Sequence, residues 1–208
     1  MRANGKWLGI ALLWLASGIV AAEDPKSAVP VPRPGVGDAM PAFESTDDLD
    51  RPWKSADYVG KKVLVLYFYP GDFTGGCIKQ AQAYRAVLTK IEEQGVELVG
   101  VSGDEAATHA LFKTTYDLKH TQLADTKGEL AALFGVPVGV GGRVQAMNSD
   151  RKPLLDEEKK PIRLLRAVTI DRWTVVVDRD GKIASVRKIV NPVTDSEEVL
   201  KIVETLSK

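Results

Sequence analysis

The sequence predicts a three-layer α/β domain in which a central mixed β-sheet is flanked by helices. Short apolar runs rich in β-branched residues alternate along the chain with longer stretches of helical periodicity. Near the C-terminus, Asp180-Gly181 separates two further apolar runs, which is a hairpin signal. Alternating strands and helices indicate parallel pairing, and the hairpin adds antiparallel pairing to the same sheet.

Each predicted element rests on a local pattern. Residues 63–69 are apolar throughout, as in a strand covered on both faces, and Pro70-Gly71 ends the run. After Cys77, apolar residues recur three and four positions apart, which predicts a helix. Ser102 and Glu105 have the spacing of a capping box and predict the start of a second helix that ends near Asp117. The remaining predictions are strands at 96–101, 121–124, 173–177 and 183–189, a short helix at 127–134, and a last helix from Thr194.

Composition limits the partners that the protein can have. The chain has 208 residues, of which 28 are basic and 28 acidic, so it carries no net charge that would attract a nucleic acid. Hydrophobic residues make up 44% of the chain, as in an ordinary globular protein. The sequence predicts one folded domain over residues 37–208.

The first 22 residues have the pattern of a signal peptide. Arg2 and Lys6 form a basic start, residues 7–16 form an apolar stretch, and Val20-Ala21-Ala22 offers small residues for cleavage. We expect a signal peptide at 1–22, a flexible spacer at 23–36, and a protein exported to the periplasm or another extracytoplasmic space. An uncleaved anchor is the alternative. After cleavage no stable membrane association is expected.

Cys77 is the only cysteine, so the chain can form no internal disulfide. It follows a Gly75-Gly76 turn at the predicted start of a helix, where free backbone N–H groups favour the thiolate. Thr74 supplies a hydroxyl three residues earlier. A buried structural cysteine is the alternative, but the glycine turn favours an accessible, reactive thiol.

Residues 69–77 resemble the peroxidatic loop of peroxiredoxins, the AhpC/TSA superfamily, whose pattern is Pro-x-x-x-Thr-x-x-Cys. Pro70, Thr74 and Cys77 fill its three positions. The Gly-Cys pair and residues 79–85 are most similar to the bacterioferritin-comigratory, or Q-type, branch. Residues 36–43 resemble the opening strand of the family, and the resemblance continues to the C-terminus except at 139–165.

The resemblance implies a thioredoxin-like fold and a thiol-dependent peroxidase that reduces hydrogen peroxide and organic hydroperoxides without a metal or other cofactor. Cys77 would attack the peroxide, Thr74 would hydrogen-bond the thiolate and the peroxide, and Pro70 would shield the site. The family also has an arginine that holds the thiolate. Arg172 matches it best, six residues before Asp178, with Arg163 and Arg166 as alternatives.

One position departs from the Q-type pattern. Many members have a resolving cysteine five residues after the peroxidatic one, and Gln82 stands there. The resemblance therefore implies a one-cysteine mechanism with an external thiol reductant, either a thioredoxin-like protein or a small thiol. A disulfide between two chains is the other possible outcome. We expect a monomer or a weak homodimer.

A thioredoxin-like binding or redox-sensing module without turnover is the alternative function, whereas a disulfide oxidoreductase would need a second cysteine where Gln80 stands. Residues 139–165, rich in glycine and charge, are predicted to be a solvated surface insertion. His109 and His120, the only histidines, are expected on the surface.

Overall fold

The computed structural model describes Met1 and residues 33–206. Apart from Met1, the predicted signal peptide at 1–22 lies outside the described residues, as does the spacer up to residue 32. In the part of the chain that is described, no helix is both long and apolar enough to cross a membrane.

Nine strands and four α-helices form within the described residues. The strands are β1 (Glu44–Asp47), β2 (Pro52–Lys54), β3 (Val63–Phe68), β4 (Val96–Ser102), β5 (Thr121–Ala124), β6 (Val138–Gln145), β7 (Arg163–Ile170), β8 (Trp173–Val177) and β9 (Ile183–Lys188). The helices are α1 (Gly75–Glu93), α2 (Ala106–Tyr116), α3 (Glu129–Leu133) and α4 (Asp195–Leu206).

Seven strands form one mixed sheet in the order β2-β1-β5-β4-β3-β8-β9. β3, β4 and β5 are parallel, because α1 and α2 return the chain between them. β8 pairs antiparallel with β3, and the predicted hairpin places β9 beside β8. The predicted α/β class, with a mixed sheet flanked by helices, is confirmed.

Strand β3 lies between two hydrophobic cores, which explains why its sequence is apolar at every position. All six of its residues are buried. Leu64, Leu66 and Phe68 face one core, which α3 also contributes to, while Val63, Val65 and Tyr67 face the other, beneath α1 and α4. Side chains alternate between the two faces of a strand, so a strand covered on both sides needs apolar residues at every position.

The region predicted as a solvated insertion forms a separate two-stranded sheet, β6 with β7. We call residues 138–170 the ribbon. Glycine is unusual inside a strand, but Gly141 is needed in β6. It lies so close to β7 that a Cβ there would be 2.0 Å from the Arg166 carbonyl oxygen. Much of the ribbon is exposed, but Ala146 is fully buried and the Met147 carbonyl accepts a 2.7 Å hydrogen bond from Tyr116 of α2. The ribbon thus packs on the domain with one side.

The predicted capping box at the start of α2 is wrong. Ser102 ends β4, and its hydroxyl donates to Asp104 at 2.8 Å. The N-cap residue is Glu105, and it makes no side-chain capping bond. A nearby carboxylate competes for the serine hydroxyl, which a spacing pattern does not detect.

Candidate active site

Cys77 lies in the first turn of α1, for which Thr74 is the N-cap residue. Backbone N–H groups in a first helical turn have no acceptor within the helix and favour an anion. The residue is only 1% exposed, whereas the sequence had suggested an accessible thiol. Gly75 beside it is exposed and Gly76 half-buried, so small side chains line the approach.

Arg172 contacts the Cys77 sulfur, with Nη2 3.1 Å from Sγ. The topology explains this contact. β3 leads into the loop before Cys77, and β8 pairs antiparallel with β3, with Trp173 opposite Phe68. The residue that precedes β8 therefore lies beside the loop that follows β3. A Cβ on Gly76 would lie 3.2 Å from the Arg172 guanidinium, so the glycine leaves room for this cation.

A hydrogen-bonded chain behind Arg172 fixes its orientation. Arg172 Nη1 donates to Gln80 Oε1, and Gln80 Nε2 donates to the buried Asp195 carboxylate at 2.9 Å. Three other side chains also donate to Asp195: the hydroxyls of Tyr84 at 2.6 Å and Thr174 at 2.8 Å, and Arg187 Nε at 3.4 Å.

Sequence reasoning missed Gln80 and Asp195. Gln80 follows Cys77 by three residues and so shares its helix face, a signal that was available. Asp195, at the start of α4, is 115 residues from Gln80, and nothing local marks it as part of the site.

Pro70 and Thr74 lie at the two ends of the loop that leads to Cys77. Pro70 is half-buried, and its carbonyl accepts a 3.0 Å hydrogen bond from Arg166 Nη1. The Thr74 hydroxyl donates to the Gly71 carbonyl at 3.0 Å. A hydroxyl has one proton to donate, so this geometry does not give Thr74 a bond to the sulfur, and its predicted role stays a prediction.

A second buried polar cluster lies beneath the same loop. His109 Nδ1 is 2.8 Å from Asp72 Oδ2, and its Nε2 is 3.2 Å from the Leu123 carbonyl. Asp104 Oδ2 accepts from the Asp72 backbone N–H at 2.7 Å, and Asp104 Oδ1 lies 3.3 Å from Arg166 Nε. Two carboxylates, one arginine and one histidine thus share a site closed to solvent.

The expected surface positions of the two histidines are wrong, since His109 is fully buried and His120 is 4% exposed. Burial opposes charge on the His109 ring, but the Asp72 carboxylate beside it raises the pKa of His109 above its ordinary value. Both ring nitrogens face oxygen acceptors, which suits the protonated ring. Burial lowers the pKa of His120 to about 3, so that ring is neutral.

Arg163 and Arg166, the alternatives to Arg172, occupy different places. Arg163 is exposed, and Arg166 is buried in the cluster beneath the loop rather than at the sulfur. Within the described residues, no group of three or more histidine, cysteine or acidic side chains is arranged to hold a metal ion.

Residues 36–186 match the model of the AhpC/TSA family. The chain belongs to this family. Peroxiredoxin Q of Suaeda salsa, a chloroplastic protein, is 31% identical over 171 residues, which cover 82% of this chain and 68% of that protein. Peroxiredoxin Q of Oryza sativa subsp. japonica, also chloroplastic, is 41% identical over 106 residues, or 51% and 48% of the two chains. The match thus spans about half the length of several of these relatives.

Solved structures of the family share the fold of this chain. Peroxidoxin BcpB from Mycobacterium tuberculosis superposes with a TM-score of 0.65 at 24% identity, covering 83% of this chain and 98% of that one. A mutant of PrxQ from Xylella fastidiosa has the same TM-score at 20% identity, with 84% and 98% covered. The thioredoxin-like fold and the Q-type peroxiredoxin resemblance are confirmed.

The raised pKa of His109 predicts how stability depends on pH. The folded protein binds a proton at His109 that the unfolded chain releases near pH ~6.5, so this contribution is complete below that pH. It is lost as the pH rises through the higher folded-state pKa. We expect the free energy of unfolding, measured by urea titration, to fall more steeply over this range in the wild type than in His109→Gln.

His120→Gln is the matched control. His120 is neutral in the folded protein, so it contributes no loss of stability as the pH rises above ~6.5. Equal alkaline slopes for the wild type and His109→Gln would show that His109 is not protonated in the folded state.

Proposed function

We propose that this protein is a thiol peroxidase that reduces hydrogen peroxide and organic hydroperoxides through Cys77. The observation that carries the proposal is the Arg172 guanidinium 3.1 Å from Cys77 Sγ at the start of α1. A cation and the free N–H groups of a helix start both favour a thiolate, the nucleophilic form of cysteine. Membership of the AhpC/TSA family and the similarity to peroxiredoxin Q proteins support the same chemistry.

The proposed reaction has two steps, and the first oxidises Cys77. The thiolate attacks the terminal oxygen of the hydroperoxide, an S–O bond forms and the O–O bond breaks. The sulfur becomes a sulfenic acid, and the departing oxygen takes a proton to leave as an alcohol or water. Arg172 carries N–H donors in a fixed fork, so it can hold the sulfur and polarise the departing oxygen together.

The second step needs an external reductant, because the chain has one cysteine and Gln82 occupies the resolving position. One thiol displaces water from the sulfenic acid and forms a mixed disulfide. A second thiol releases the Cys77 thiol and leaves as a disulfide with the first. A thioredoxin-like protein or a small thiol fits this role, and the enzyme acts as a monomer or weak homodimer.

Thr74 and Pro70 complete the proposed machinery. In the reacting complex the Thr74 hydroxyl turns from the Gly71 carbonyl to the thiolate and the peroxide, while Pro70 keeps water from the sulfur. A binding or sensing module without turnover needs no oriented arginine. The chain from Arg172 through Gln80 to Asp195 therefore favours catalysis.

The central prediction is that Cys77→Ser abolishes peroxide turnover and keeps the fold, since it removes the nucleophile and little volume. Stoichiometric hydrogen peroxide should add one oxygen to monomeric wild-type protein and none to the variant, measured by intact mass. Excess peroxide should carry the wild type on to sulfinic and sulfonic forms that small thiols do not reverse. A covalent dimer formed in stoichiometric yield would contradict the one-cysteine mechanism.

The role of Arg172 predicts that Arg172→Lys slows Cys77 oxidation by about tenfold or more, because one ammonium replaces a fork that binds both sulfur and Gln80. Stopped-flow oxidation by hydrogen peroxide gives the rate. Arg179→Lys, at an exposed position, is the control, and equal rates in both variants would rule out the role of the fork.

The basic start, apolar stretch and small residues of 1–22 support export, with action in the periplasm or another extracytoplasmic space. We expect protein expressed with its first 22 residues to be recovered outside the cytoplasm with Glu23 as its N-terminus. N-terminal sequencing of the fractionated protein tests this. Recovery of the uncleaved chain in the membrane fraction would indicate an anchor instead.

A further inference from the structure

Arg166 makes a set of contacts with the loop before Cys77 that the reaction described above does not use. Its Nη1 donates to the Pro70 carbonyl at 3.0 Å and its Nη2 to the Asp72 carbonyl at 3.3 Å. The side chain is 6% exposed, and Nε faces the Asp104 carboxylate at 3.3 Å. One guanidinium thus ties two carbonyls of the loop to a buried carboxylate.

The loop has a shape that local sequence does not favour. Phe73 has φ of 58°, in the left-handed region that is costly for residues with a Cβ. Gly71 has φ of 152°, and a Cβ there would lie 2.1 Å from the Arg166 guanidinium. The loop therefore needs contacts from outside to hold its shape, and it leaves room at Gly71 for the side chain that supplies them.

We propose that Arg166 is a positioning residue that holds residues 70–73 in the conformation from which Cys77 reacts with peroxide. This inference rests on the proposed function of Cys77. Arg166 belongs to β7, so the ribbon supplies a residue that shapes the site. Asp104 fixes the guanidinium, and it also accepts from the Asp72 backbone N–H at 2.7 Å, which joins the loop to the same anchor.

Because Cys77 is buried, losing the Arg166 contacts should change its reactions with peroxide and with external thiols in opposite directions. Peroxide attack needs the folded loop, because only there does Arg172 contact the sulfur. A bulky external thiol needs access to a residue that is 1% exposed, so it reacts faster when the loop opens. Loss of the Arg166 contacts should therefore slow oxidation and speed thiol access, whereas a loss of the thiolate would slow oxidation and alkylation together.

The test compares Arg166→Met with Arg163→Met, a matched control on the same strand whose side chain is exposed. In single turnovers we expect Arg166→Met to lower the rate of oxidation by hydrogen peroxide between about tenfold and a hundredfold, as for other misplaced reacting groups. Reduction of its sulfenic acid by glutathione, and alkylation of its reduced Cys77 by iodoacetamide, should both become faster. Arg163→Met should match the wild type in all three rates.

The proposal would be overturned if Arg166→Met oxidised, was reduced and was alkylated at wild-type rates. It would also be overturned if all three rates fell together. Alkylation involves no peroxide, so it separates the two proposals. If wild-type Cys77 is not oxidised, the peroxidase proposal fails, while faster alkylation in Arg166→Met alone still supports the loop contact.

Arg166→Lys keeps a charge beside Asp104 and decides the question if the methionine variant does not fold. Arg166→Lys should also slow oxidation and speed reduction and alkylation, but by smaller factors, because one ammonium cannot reach all three acceptors. Unchanged oxidation and alkylation in Arg166→Lys would overturn the proposal.

Discussion

The antiparallel pairing of β3 with β8 is the constraint on which the site depends. β3 ends at the loop that leads to Cys77, and β8 begins directly after Arg172. Because the two strands run in opposite directions side by side, the end of one and the start of the other lie at the same edge of the sheet. The nucleophile and the cation that favours it are thus brought together by the backbone hydrogen bonds between two largely buried strands.

A cation at that edge is costly unless the protein supplies compensating partners. Arg172 reaches the buried Asp195 through Gln80, and Arg166 contacts Asp104 directly. Removing one partner of a buried ion pair typically costs about 3–5 kcal/mol, because the other charge is left alone. Asp104 therefore stabilises the folded state only while Arg166 is in place. Asp195 is paired with Arg187 and orients Arg172 through the neutral Gln80.

Sequence patterns predicted the parts of the structure that are encoded locally. The Pro70, Thr74 and Cys77 spacing gave the resemblance to the family. That resemblance implies an arginine at the thiolate, and the spacing from Asp178 favoured Arg172, which contacts the sulfur. Buried polar residues could not be found in this way. His109 was placed on the surface because its burial depends on Asp72, 37 residues away, and Asp195 gave no local signal. The ribbon strands were missed because β6 contains three glycines, which single-sequence propensity counts as loop, although the close contact of Gly141 with β7 requires a glycine there.

The ribbon explains how a loop with an unfavourable backbone can remain folded. The left-handed conformation of Phe73 costs about 1–3 kcal/mol, and burying its ring recovers about 1.5–3 kcal/mol. That burial needs a surface to pack against: Phe112 and Tyr116 of α2 form one wall, and Val144 and Leu164 of the ribbon belong to the same cluster. Apolar packing holds the ring, while the Arg166 hydrogen bonds hold the backbone just before it, at Pro70 and Asp72. The ribbon contributes to both kinds of contact, so it ties the loop before Cys77 to the rest of the domain.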